Sequence, residues 1–183
     1  MSEQRVPPRS ELPREMTWDL GSLYADDGAW ETDFAAFRGA LEPLLALRGR
    51  LGESAATLRA ALHAQDELER VLERLHTYAH LKNDEDLGNQ IYQGMFDQAA
   101  SLYHDTSAAL AWITPEIMAI PDDRMGSFLA DPDLAYYRFA LEVILRFKPH
   151  TLSDSGERLM ALAGEALGSP YKTFSRLNNA DLR

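Results

Sequence analysis

Cysteine is absent from this chain, which removes both a disulfide framework and any thiolate metal site. Lysine is scarce: fifteen of the 18 basic residues are arginine, a skew that reflects genome composition more readily than function. Those basic residues are spread thinly against a formal net charge of −11. They form no patch able to neutralise phosphates, which excludes nucleic acid as a partner. No apolar run approaches the roughly 20 residues that cross a bilayer, so no membrane partner is expected. Residues 1–8 have no apolar core of a secretion signal, and a cytoplasmic location is the expectation. Glycine-rich phosphate loops are missing too, since Gly49-Arg-Leu-Gly52 is short and follows a helix instead of a strand.

What is present reads as helix. The 183 residues with 45% hydrophobic content are enough for one sizeable core. β-Branched residues are sparse, and no strand-like alternation competes with apolar spacings of three and four. The expected fold is all-α, antiparallel helical hairpins in a bundle of about six to eight helices with no sheet. Three of the nine prolines fall within the first thirteen residues, so residues 1–16 are expected to be an extended or disordered arm. Residues 17–183 are expected to form a single helical domain. Trp18, Leu20, Leu23 and Tyr24 would anchor the arm.

Asp26 or Asp27 can cap a helix carrying Trp30, Phe34, Phe37, Leu41 and Leu44, which Pro43 would kink or end. Ser54 caps the next, and whether that helix breaks near Gln65-Asp66 stays open. After Gly88-Asn89 a long helix runs to Ile113, where Thr114-Pro115 is expected to end it, and Pro115 can also start a short helix at its first position. Asp122 is expected to cap a short helix that Asp131-Pro132 breaks. Leu134 to Phe147 is the most apolar segment and is expected to be buried on several sides. Ser153 and Ser169-Pro170 would open two last helices.

Candidate chemistry is thin. His76 and His80 stand at i, i+4, a spacing that lets two imidazoles share a divalent ion. Thr77-Tyr78-Ala79 lies between them, without a general-base glutamate. The pair reads as amphipathic filler, and no metal site is expected; metal binding with Asp84 as third ligand is the alternative. His63, His104 and His150 are isolated, and HExxH occurs nowhere, so the zinc-bound water of a zincin has neither ligands nor base here. Asp84-Glu85-Asp86 is contiguous where a calcium loop would alternate its oxygen ligands, and reads as a solvated turn. Tyr136-Tyr137 and the Tyr171/Phe174 pair could line a peptide groove, with core packing the better-supported reading. No catalytic or cofactor-binding residue is identified.

The order of short segments carries more. Leu12-Pro-Arg-Glu-Met-Thr-Trp-Asp-Leu20, Leu51-Gly-Glu-Ser54 and the run from Tyr78 to Asn89 come first. Tyr136-Tyr-Arg-Phe139, Lys148-Pro-His-Thr-Leu-Ser153, Glu157-Arg-Leu159 and Ser175-Arg-Leu-Asn-Asn-Ala-Asp-Leu182 follow. In that order and spacing, the chain resembles the helical N-terminal domain of the oligoendopeptidase F family of zinc metallopeptidases, related to thimet oligopeptidase. The resemblance implies one wall of a channel that admits short peptides, with zinc and its ligands in a catalytic part outside these residues. The catalytic domain of the same polypeptide and short peptides are the implied partners. An uncovered apolar face on the later helices would lead to self-association of the chain or remain as an exposed patch. The alternative is a free-standing helical interaction module without catalysis.

Overall fold

Capping starts the first two long helices where the sequence places them. In the computed structural model, which describes residues 11–151 together with Gly156 and Phe174, Asp26 accepts a bond from the amide of Ala29 and opens α1, Asp27–Leu45. Ser54 accepts from the amide of Thr57 and opens α2, Ala55–Glu85, a 31-residue helix that passes Gln65-Asp66 without a break. Asn89 accepts from the amides of Ile91 and Tyr92 and opens α3, Gln90–Leu110. Each cap satisfies amides that the first helical turn leaves without a partner. Three shorter helices follow: α4, Ile113–Ala119; α5, Asp122–Ala130; and α6, Arg138–Phe147. The fold is all-α, with no strand among the described residues. The two helices expected after Ser153 lie outside the described residues.

The three long helices run up, down and up. Trp30, near the start of α1, donates its indole N–H to the carbonyl of Leu75 late in α2, at 2.8 Å. Across α2 and α3, Lys82 lies over Tyr92 while His76 lies beside Tyr103, which is an antiparallel register. Phe37, Leu44, Leu58, Leu75 and Leu102 are fully buried between them. Between α1 and α2 the chain turns at Gly49, whose φ of 81° suits a residue without Cβ. The carboxylate of Glu116 in α4 accepts from the amides of Gly49 and Leu51, both at 2.8 Å, and so pins that turn.

Several local expectations needed correction. Pro43 lies inside α1 and does not stop it; the helix runs two residues further. α3 ends at Leu110, and Pro115 is the third residue of α4. That position is tolerable because the first amides of a helix have no intrahelical acceptor to lose. Pro121 occupies the position before α5, so Asp122 acts within the first turn, where its charge favours the helix dipole, and not as a cap. Leu134 belongs to a 3₁₀ turn, Pro132–Leu134, and α6 starts only at Arg138. Within α6 only Leu141 is buried, and Arg138, Glu142 and Arg146 form a polar stripe one turn apart along it. Phe139 and Phe147 are exposed, as is Phe174.

Near the start, Arg14–Met16 form one 3₁₀ turn. Tyr24 is the buried anchor of this stretch, while Trp18 is half exposed. The chain divides into two compact units, Met1–Leu141 and Glu142–Arg183, whereas the sequence leads to one boundary, after residue 16.

Candidate functional site

The polar and aromatic residues with chemical potential gather along α2. On its α1 flank they close on one another. The hydroxyl of Tyr78 donates to Asp27 at 2.8 Å, and Lys82 reaches the same carboxylate oxygen at 3.4 Å. The ammonium of Lys82 sits 4.3 Å from the centre of the Tyr92 ring. Burial opposes the charge of Lys82, but Tyr92 and Asp27 together hold its proton affinity above the ordinary value. The Tyr78 phenol is pushed up strongly, by burial first and by Asp27 next. A turn away, Arg74 donates to the Tyr24 hydroxyl and to Asp33, and lies over the Tyr24 ring. Trp18, Leu20 and Tyr24 line a cleft of about 610 Å³ beside this network.

On the α3 flank stand the candidate ligands. His76 and His80 do come together, their ring centres 5.9 Å apart, and His80 Nε2 lies 3.4 Å from Asp84. What spacing along one helix does not reveal is α3. Phe96 stacks on His80 at 5.0 Å and meets His76 at 5.6 Å; Tyr103 lies 5.7 Å from His76. Burial lowers the proton affinity of His76, and the charges of His80 and His104 lower it further. Among the described residues no three His, Cys, Asp or Glu side chains are grouped to hold a metal ion. The described residues therefore do not fit zinc.

Tyr136 and Tyr137 separate in role. Tyr137 is buried and donates to Asp66 at 2.9 Å; burial and that carboxylate push its phenol up to about 12. Tyr136, 84% exposed, stands edge-on to it over a cavity of about 530 Å³ that Arg59, His63 and Arg70 also line. Core packing thus accounts for Tyr137 and not for Tyr136. Tyr171 lies outside the described residues.

Comparison with known proteins places this architecture among the helical domains of peptidases. A family model described as oligopeptidase F matches residues 116–183. Over 97% of its length the chain is 41% identical to Oligopeptidase PepF of Bacillus subtilis. Over 95% it is 34% identical to Group B oligopeptidase PepB of Streptococcus agalactiae. It spans 27% and 29% of those two proteins, under a third of their length. A crystallised candidate peptidase of Chlamydophila abortus superposes on it with a TM-score of 0.85 at 30% identity, over 97% of this chain and 30% of the other. The chain belongs to the oligoendopeptidase F family and matches the N-terminal domain of its members. That family consists of metallopeptidases of the M3 group. The segments quoted from Leu12 to Leu182 thus pointed to the right family. No described helix is long and apolar enough to cross a membrane.

Proposed function

We propose that this chain forms one wall of the peptide channel of a zinc-dependent oligopeptidase acting on short peptides in the cytoplasm. The catalytic part, with its HExxH histidines and glutamate, would lie outside these 183 residues. The observation carrying this reading is the 41% identity to PepF over almost the whole chain, confined to 27% of PepF. A three-helix core with surface clefts suits a wall better than a reaction centre. The chain alone would hydrolyse nothing, because it has no histidine pair with an adjacent glutamate to activate water.

Expression of the whole reading frame from which these residues come, beside the 183-residue chain alone, tests this. The whole product is expected to cleave quenched short peptides, to lose that activity to a chelator and to regain it with zinc. The 183-residue chain is expected to do none of these. A frame without HExxH, yielding an inert product, would return the chain to the class of free-standing interaction modules.

A further inference from the structure

The groove between α2 and α3 combines negative charge, apolar surface and a buried hydroxyl that no described residue satisfies. Glu69, Leu72 and Glu73 of α2 face Tyr103, Thr106 and Leu110 of α3 around about 280 Å³. Pockets for whole small molecules run to about 300–1,000 Å³, so this one suits a single side-chain-sized group.

Its charge is not compensated from within. Glu69 and Glu73 stand one turn apart, where like charges repel. Glu69 accepts a bond from the amide of Gln65 at 2.8 Å, a neutral donor. Glu73 makes no hydrogen bond or ion pair with the described residues. The neighbouring arginines of α2 are committed elsewhere, Arg70 to Glu67 and Arg74 to Asp33 and Tyr24. Thr106 is 2% exposed, and its hydroxyl has no partner among the described residues. A helical threonine ordinarily bonds back to the carbonyl one turn earlier, and a buried polar atom left alone is rare. Leu72 and Leu110, both buried, supply the apolar lining.

We propose that this groove binds an alkylammonium group, a protonated primary amine on an apolar stem. The ammonium would lie between Glu69 and Glu73 with Thr106 Oγ1 as a further acceptor, and the stem along Leu72 and Leu110. Anions are repelled by the two carboxylates, and the lining by Leu72 and Leu110 suits an alkyl stem better than a hydrated metal ion. The site does not depend on the peptidase reading, since its charge and its unsatisfied hydroxyl belong to the α2–α3 pair itself. The same chemistry is offered by a lysine side chain in a peptide and by a free polyamine.

Amide NMR of the isotope-labelled 183-residue chain tests the proposal, with Nα-acetyl-lysine methylamide, putrescine and Nα-acetyl-norleucine methylamide as probes. Saturable shifts at Leu72, Thr106, Ser107 and Leu110 are expected with the two amines and not with norleucine, which has the stem without the charge. Tighter binding of the lysine derivative assigns the site to peptides, and tighter binding of putrescine to free polyamines. The double variant E69Q/E73Q is expected to weaken binding about tenfold, the equivalent of two lost charge contacts. Spectra of that variant away from the groove report whether its fold is intact, and the single E73Q should weaken binding in the same direction. Equal shifts with norleucine, shifts elsewhere on the surface, no saturable shift, or unchanged affinity in a folded E69Q/E73Q would overturn the proposal.

Discussion

The two flanks of α2 are built from similar residue types and differ in how they are paired. Toward α1, Trp30, Tyr78, Lys82 and Arg74 each find an acceptor across the α1–α2 interface. Toward α3, imidazole and phenyl rings stack without strong hydrogen bonds, and among the described residues two glutamates have no cation and the Thr106 hydroxyl no partner. Groups that close on one another hold helices together and offer little to a ligand. Groups left open contribute less to the fold and keep their bonding capacity for something else.

The largest expected effect lies on the closed flank. Trp30→Ala should destabilise the chain by about 3–5 kcal/mol, the cost of truncating a buried aromatic and leaving the Leu75 carbonyl without its donor. Urea unfolding measures it, and a loss below about 1 kcal/mol would deny that flank its structural role.

Next comes Tyr78→Phe, which deletes one hydroxyl and little volume. Asp27 is partly exposed, so the expected loss is about 1–2 kcal/mol, toward the lower end for a bond to a charged group. A double-mutant cycle with Asp27→Asn should show coupling between the two sites; additive losses would mean the bond contributes nothing of its own.

On the open flank the sign reverses. Thr106→Val keeps the shape and removes the unsatisfied hydroxyl, and should stabilise the chain by about 1 kcal/mol. Thermal melting decides this, and a clear destabilisation would mean that the hydroxyl already has a partner in solution.

The smallest effect at neutral pH is expected for His76→Gln with His80→Gln, within about 1 kcal/mol. Their pH dependence is the sharper test. Burial depresses the proton affinity of folded His76, so the native state favours neutral imidazole. That contribution is fully present above the unfolded value of about 6.5 and is lost as pH falls through the lower folded value. Melting temperatures recorded from neutral to acid pH should fall less steeply in the double variant. A metal-dependent rise in melting temperature confined to the unsubstituted chain would restore the ligand role of His76, His80 and Asp84.

Caps and turns were legible because they are local. Asp26 and Ser54 needed only an amide three residues away, and Gly49 needed only a positive φ. Proline was misleading for the same reason. Pro115 was expected to end the long helix or to be the first residue of a short one, yet it stands third in α4, where Ile113 and Ile117 are buried. The apolar count from Leu134 to Phe147 hid a polar stripe at Arg138, Glu142 and Arg146, which became visible once the helix start moved to Arg138. His76 and His80 were found by their spacing, while Phe96, Tyr103 and His104 were not, because they stand on another helix.

By itself the sequence determined the helical class, the starts of the three long helices, the charge and the family, since these depend on residues a few positions apart or on segments in a fixed order. The continuity of α2, the Phe96 stack on His80 and the meeting of Thr106 with Glu69 and Glu73 were decided by tertiary structure. Each depends on the register and rotation of α3 against α2, which the packing of buried leucines across the whole interface selects and no short stretch of residues specifies.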